Sequence, residues 1–195
     1  MEGTPSTTPP GTGPSPAERL DPKRARTTLA ILASMGLMVT YVETMVVPAL
    51  VRFTTFFDSP PISTVAWILS AYLLVGVATT PIFAKLGDIY GKKRILLVVI
   101  ATYAVAVTVA GFTPQIGAAG GLSRYTQIYL LIGVRGVQGV GMAMFPLAFA
   151  MIGEEFPPNR VATAQGIVSA MFAAGATLGL LGGAAITQDF GWQTT

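Results

Sequence analysis

Apolar residues along this chain gather into five long runs: Thr27–Val51, Ile62–Ala84, Ile95–Phe112, Tyr125–Ile152 and Val161–Thr187. A helix that crosses a bilayer needs about 20 predominantly apolar residues, within a range of roughly 17–25. The third run, at 18 residues, is the shortest, and the fourth and fifth have length to spare for tilt or interfacial ends. Backbone in hydrocarbon must satisfy its own hydrogen bonds, so each run is predicted to be α-helical. Turn-forming segments separate the runs: Asp58-Ser59-Pro60-Pro61, Gly87-Asp88 with Gly91, Gly117 to Gly121, and Pro157-Pro158-Asn159. The pattern predicts an all-α membrane protein with five transmembrane helices.

The head of the chain has a different texture. Between Met1 and Pro22, prolines alternate with Gly, Thr and Ser, and such a stretch buries too little apolar surface to offset chain entropy. Arg19, Lys23, Arg24 and Arg26 follow as a basic cluster. The 25-residue run behind them is too long for a signal-peptide core and long enough to span. Residues 1–26 are therefore expected to be a disordered tail, and residues 27–195 a transmembrane domain.

Composition agrees with the hydropathy pattern. Of 195 residues, 52% are hydrophobic and 11% charged, against roughly 25% charged in soluble domains; the mean hydropathy is +0.63. A surface with so few charges does not suit a soluble enzyme. Cysteine and histidine are both absent, which removes disulfides, thiolate nucleophiles, Cys/His zinc sites and histidine general bases together. No nucleophile–base set or paired intramembrane carboxylate is visible, so no enzyme activity, metal or cofactor is expected. A basic stripe with interleaved aromatics is lacking too, so no nucleic-acid partner is expected.

The placement of charge says more than its sum of +3. With the N-terminus on the cytoplasmic side, that side holds Arg19, Lys23, Arg24, Arg26, Lys85, Lys92, Lys93, Arg94 and Arg160, and the other holds Arg52 and Arg124. This positive-inside bias predicts a multi-pass protein of the cell membrane with a cytoplasmic N-terminus and Thr195 outside.

Two charges fall inside apolar runs, Glu43 in the first and Arg135 in the fourth. A central Arg or Asp costs on the order of 2.5–3.5 kcal/mol on insertion scales. The alternatives to lipid exposure are a mutual pair, a water-filled cavity, or a neutral Glu43 able to carry a proton. A snorkelling Glu43 or a static ion pair would be a purely structural outcome. Arg135, Gln138, Gly139 and Met142 share one helical face, which suits a polar cavity; the glycines of this segment would equally permit close helix packing. Gly175, Gly179 and Gly183 recur every four residues in the fifth run, a doubled small-xxx-small pattern that lets helix backbones approach.

Between the second and third runs the chain reads Ala84-Lys85-Leu86-Gly87-Asp88-Ile89-Tyr90-Gly91-Lys92-Lys93. This resembles the loop signature of the major facilitator superfamily, Gly-x-Leu-x-Asp-x-x-Gly-basic-basic, with Ala84 at the first Gly and Ile89 at the usual basic position. Arg135, Gln138, Gly139 and Gly141 match the family's fourth-span pattern Arg-x-x-Gln-Gly-x-Gly in full. Trp67 and Ala71-Tyr72-Leu73, followed by Pro81, resemble the second span of its drug:proton antiporters. Gly175, Gly179, Leu180, Gly183 and Ala184 resemble the antiporter pattern Gly-x-x-x-Gly-Pro-x-x-Gly-Gly without its proline, and Gly191-Trp192 sits where that subgroup often has Gly-Trp. In the first span an acidic residue often stands two positions before a Thr; Val42 has that place here, and Glu43 is adjacent.

The resemblance covers about residues 27 to 192 and implies six-helix halves around a central cavity. The five runs then correspond to an incomplete N-terminal half. The resemblance implies a secondary transporter, or a piece of one, exchanging protons for a small organic or drug-like solute. By it Arg135, Glu43 and Gln138 would serve proton coupling or line the cavity. Leu86, Asp88, Gly91, Lys92 and Lys93 would form a cytoplasmic gate, and Gly175, Gly179 and Gly183 would pack helices. Its partners would be the bilayer, a small-molecule substrate, protons, and a missing C-terminal half or second subunit. A non-transporting half, a subunit of a split transporter and an uncoupled facilitator remain alternatives.

Overall fold

The computed structural model describes residues 22–189. Most of the tail, together with Arg19, Gly191-Trp192 and Thr195, lies outside the described residues. The chain forms α1 (Pro22–Phe56), α2 (Ile62–Tyr90), α3 (Lys92–Gly111), α4 (Thr113–Ala119), α5 (Arg124–Gln138), a 3₁₀ segment (Gly139–Ala143), α6 (Met144–Glu155) and α7 (Pro158–Asp189). α5, the 3₁₀ segment and α6 are one continuous span. Among the described residues, five helical spans are thus long and apolar enough to cross a membrane: Lys23–Leu50, Ile62–Tyr90, Lys92–Gly111, Arg124–Glu155 and Pro158–Ile186. Many of their large apolar side chains, such as Met38, Leu74, Val77, Val105 and Leu181, stay exposed, as suits a lipid-facing surface.

The punctuation differs from the sequence expectation in three places. Gly87-Asp88 does not form a turn: α2 runs through it to Tyr90, and Gly91 alone, at φ 96°, makes the elbow into α3. One residue free to adopt positive φ is enough to end the helix. Gly117 lies inside the short helix α4, which starts with Pro114 in its first turn; the break falls at Gly120 and Gly121, the latter at φ 66°. Pro158 and Asn159 begin α7 instead of separating it from the fourth span. Proline is tolerated there because the first helical N–H groups have no intrahelical partner. The basic residues Lys23, Arg24 and Arg26 likewise ride on the first turns of α1.

The break after α1 behaves as its composition predicts. Asp58 and Ser59 adopt positive φ (58° and 55°), and the Ser59 N–H closes on the Thr54 carbonyl at 2.8 Å. Ser123 caps α5 by accepting the Thr126 N–H at 3.1 Å. The tightening of the fourth span to 3₁₀ has a local cause. Pro146 has no N–H to offer the Met142 carbonyl and its ring crowds that oxygen, while Gly139 and Gly141 let the preceding backbone tighten.

α1 lies along α7 for most of its length, and α2 lies along α5 and the 3₁₀ segment. α3 closes the other side of the fourth span, touching α5, the 3₁₀ segment and α6. Two apolar clusters result among the described residues. One joins α1, α3, α6 and α7 through residues such as Leu32, Val99, Leu147 and Val168. The other joins α1, α2 and α5 through Val46, Phe53, Ile68 and Ile128.

Candidate functional site

Glu43 and Arg135 stand at the boundary between these clusters. In α1, Glu43 falls between Val39 of the first cluster and Val46 of the second; in the fourth span, Arg135 falls between Leu131 of the second and Ala143 of the first. At 1.5 Å of rise per residue, Glu43 lies about 20 Å from Phe56 and Arg135 about 17 Å from Arg124. They therefore sit at similar depth, and the structure brings them together: Arg135 Nη1 is 3.7 Å from Glu43 Oε2, with side chains 6% and 13% exposed. Neither faces lipid and neither snorkels. Of the alternatives open to the sequence, the geometry is that of the mutual pair.

A third helix completes the arrangement. Tyr103 of α3 donates its phenolic O–H to Glu43 Oε1 at 2.9 Å, and the phenolic oxygen also lies 3.4 Å from the Val39 carbonyl. Tyr72 of α2 interacts electrostatically with both members of the pair. Gln138, one turn beyond Arg135, is fully buried. Arg135 Nε and Gln138 Oε1 are both buried without a hydrogen-bond partner among the described residues. The site thus keeps one donor and one acceptor in reserve.

The glycines around Arg135 serve packing. A β-carbon at Gly139 would come within 2.9 Å of the Gly76 amide nitrogen and would overlap the Tyr72 carbonyl oxygen, while Met142 fills the space beside Gly76. Gly139 and Met142 therefore seat the fourth span on α2. Gly141 faces the other way: a β-carbon there would stand 2.6 Å from Cδ2 of the Tyr103 ring. A cavity of about 360 Å³ lies next to the site between α1, α3 and α6, lined by Met35, Met38, Val42, Ile100, Tyr103 and Met144 among others. It is apolar apart from the tyrosine and a threonine.

At the elbow between α2 and α3, Lys92 pairs with Asp88 at 3.2 Å and with Glu154 at the end of α6. Gly87 is buried beneath Leu147, whose Cδ2 would be 2.6 Å from a β-carbon at that position. Leu86 is half-buried, whereas Gly91 and Lys93 are exposed. Gly175, Gly179 and Gly183 face α1, where β-carbons would collide with the backbone at Leu37, Tyr41 and Met45. Two threonines of α1 bridge to the same face. Thr40 Oγ1 is 2.9 Å from the Phe172 carbonyl and Thr44 Oγ1 is 3.0 Å from that of Ala176.

Sequence reasoning did not single out Tyr103, Glu154, Thr40 or Thr44. Each left a trace. Tyr103 is a polar-tipped aromatic at the middle of the third run, and Glu154 follows just after the fourth run, on the same predicted side as Lys92. Thr40 and Thr44 repeat the four-residue spacing of the glycines they meet. Among the described residues, no group of three or more His, Cys, Asp or Glu is placed to hold a metal ion.

The family model described as Major Facilitator Superfamily matches residues 32–195. The chain is 32% identical to the "Multidrug efflux pump LfrA" of Mycolicibacterium smegmatis over 98% of its own length and 34% of that protein. It is 31% identical to "Multidrug resistance protein 3" of Bacillus subtilis over 66% of its length and 23% of the relative. With "Efflux pump dotC" of Dothistroma septosporum it shares 30% identity over 84% of its length and 26% of the relative. The chain spans about a quarter to a third of the length of these relatives. No solved structure matches it.

Proposed function

Since this chain belongs to the major facilitator superfamily, we propose that its five helices supply the first part of a secondary transporter that exports small organic or drug-like solutes in exchange for protons. The observation that carries this reading is the Glu43–Arg135 pair, buried between α1 and α5 at mid-depth. A buried ion pair is a weak source of stability, because desolvation offsets much of its attraction. Ionisable residues at such depth pair with one another or line ion and proton paths, which makes the pair a functional-site candidate.

In this reading Glu43 alternates between two states. As a carboxylate it is held by Arg135 and Tyr103. Protonation adds an O–H bond at one carboxyl oxygen and removes the counter-charge of Arg135, whose guanidinium is then free to attract an anionic group or the next carboxylate. Arg135 Nε and Gln138 Oε1 offer a donor and an acceptor to a polar group of the solute or to water. The Lys92–Asp88–Glu154 cluster ties the α2–α3 elbow to the end of the fourth span, and it acts as a cytoplasmic gate whose rupture accompanies opening.

Alternating access requires one bundle to rock against another around a midplane site, so the working unit includes a complementary half or second subunit. The excess of Lys and Arg at the ends of α1, α2 and α3 supports a cytoplasmic N-terminus in the cell membrane. The test is transport in proteoliposomes by the assembled carrier. A proton gradient drives solute flux in the parent, and Glu43→Gln and Arg135→Ala each abolish the gradient-driven part. Flux that ignores the gradient in all three identifies an uncoupled facilitator, and robust coupled flux in Arg135→Ala removes Arg135 from the mechanism.

A further inference from the structure

We propose that Tyr103 is a positioning residue that keeps Glu43 hydrogen-bonded in both of its protonation states, and that Gly141 exists in the fourth span to seat its ring. The inference rests on the reading of Glu43 as the proton carrier. A buried carboxyl that titrates faces a difficulty that a static one does not. Each state must find partners at the same place, because a buried polar group left unpaired carries its full desolvation penalty. A carboxylate accepts only, whereas a carboxylic acid also has a proton to donate.

A phenol can serve both, and the surroundings of Tyr103 are arranged for it. Its oxygen is 2.9 Å from Glu43 Oε1 and 3.4 Å from the Val39 carbonyl. With Glu43 charged, the phenolic O–H donates to the carboxylate. With Glu43 neutral, the carboxyl O–H donates to the phenolic oxygen, and the phenolic O–H turns to the Val39 carbonyl. Tyr103 keeps its own proton throughout; one proton enters at Glu43 and one leaves from it in each cycle.

The charged and titratable groups that face Glu43 from neighbouring helices are Arg135 of α5, Tyr103 of α3 and Tyr72 of α2. Of these, Tyr103 is the one in hydrogen-bond contact with the carboxyl. Its ring packs flush against the backbone at Gly141, where a β-carbon would stand 2.6 Å from Cδ2. Arg135 and Gly141 thus act on one carboxyl from the same helix, the first directly and the second through α3.

Infrared difference spectroscopy of the purified chain in bilayers, titrated across pH, tests this without requiring transport. A carboxylic-acid carbonyl band that disappears in Glu43→Gln identifies the protonated side chain. In Tyr103→Phe, which preserves the ring and its seat, that band is expected at a shifted frequency. In the assembled carrier the same variant is expected to lose about tenfold in gradient-driven flux while equilibrium solute exchange is spared. A merely structural role would slow both modes alike. Gly141→Ala is expected to reproduce the band shift, and adding Tyr103→Phe to it to shift the band no further. If the Glu43 band of Tyr103→Phe superimposes on the parent's, Tyr103 has no hold on the carboxyl and the inference fails, while the role of Glu43 stands. If no band is lost in Glu43→Gln at any pH, Glu43 does not take up a proton, and both readings fail.

Discussion

The Thr44 hydroxyl shares its proton between the Thr40 carbonyl of its own helix, 2.8 Å away, and the Ala176 carbonyl of α7, 3.0 Å away. This is possible only because the helices touch backbone to backbone. Three residues after Ala176, Gly179 presents no side chain to Tyr41 and Thr44. The two helices are therefore zipped by a threonine stripe on one and a glycine stripe on the other, in a medium where close packing replaces hydrophobic drive.

Gly179→Val forces this interface apart. Overpacking of a tight contact costs about 1–3 kcal/mol, and the Thr44 bridge is lost with it. Unfolding of the purified chain by SDS titration is expected to shift to lower detergent fraction, and Thr44→Val to shift it less. An unchanged Gly179→Val profile would mean that α1 and α7 are not in contact there.

The central ion pair makes an asymmetric prediction. Removing one member leaves the other buried and alone, at about 3–5 kcal/mol, whereas replacing both with apolar residues of similar volume is often close to neutral. Arg135→Met and Glu43→Leu are each expected to destabilise the chain strongly in SDS titrations, and the double variant to recover most of the loss. Additive losses would show that the two side chains do not interact.

Gly91 offers a test of the elbow. Its φ of 96° and ψ of 126° lie outside the left-handed helical region that Asn tolerates. Gly91→Asn is therefore expected to be as damaging as Gly91→Ala, at about 1–3 kcal/mol each. Rescue by Asn would contradict the elbow conformation.

Lys92 is the shared member of the elbow cluster. Lys92→Gln is expected to raise hydrogen exchange across residues 86–95 and at the end of α6 several-fold. Asp88→Asn is expected to do so less, because an exposed pair one helical turn apart contributes little alone. Raising ionic strength should narrow the difference, since these charges are open to screening. Equal exchange in all variants would leave the cluster without a structural role.

The five spans were legible because hydrocarbon imposes one rule on every segment, and long apolar runs obey it regardless of partner. Glu43 and Arg135 were legible for the same reason: charge is conspicuous where it is expensive. Their joining was not, because it depends on how α1 and α5 pack, and no spacing relates residue 43 to residue 135. Tyr103 escaped notice because a tyrosine within an apolar run is unremarkable until its hydroxyl has a neighbour. Gly139 could open a cavity or admit a helix by sequence, and its close approach to Tyr72 and Gly76 becomes visible only once α2 is in place. The turns were misplaced at Gly87-Asp88, Gly117 and Pro158-Asn159, whereas Asp58–Pro61, Gly91 and Gly121 do break the helices. Gly87 and Gly117 lie in helices because a neighbour fills the space above them, Leu147 in one case and Gln127 in the other.

The tightened segment Gly139–Ala143 has a geometric effect on everything after it. Each 3₁₀ residue advances the winding by about 120° where an α-helical one advances it by about 100°. Over this short stretch the phase of the lower half is turned by on the order of 100° relative to a uniform helix. Arg135 lies above that turn; Leu147 and Glu154 lie below it. The azimuth at which Leu147 covers Gly87 and Glu154 finds Lys92 is thereby set by a few residues midway along the rod. Rewinding them would swing the elbow's two anchors off target while leaving the guanidinium where it is.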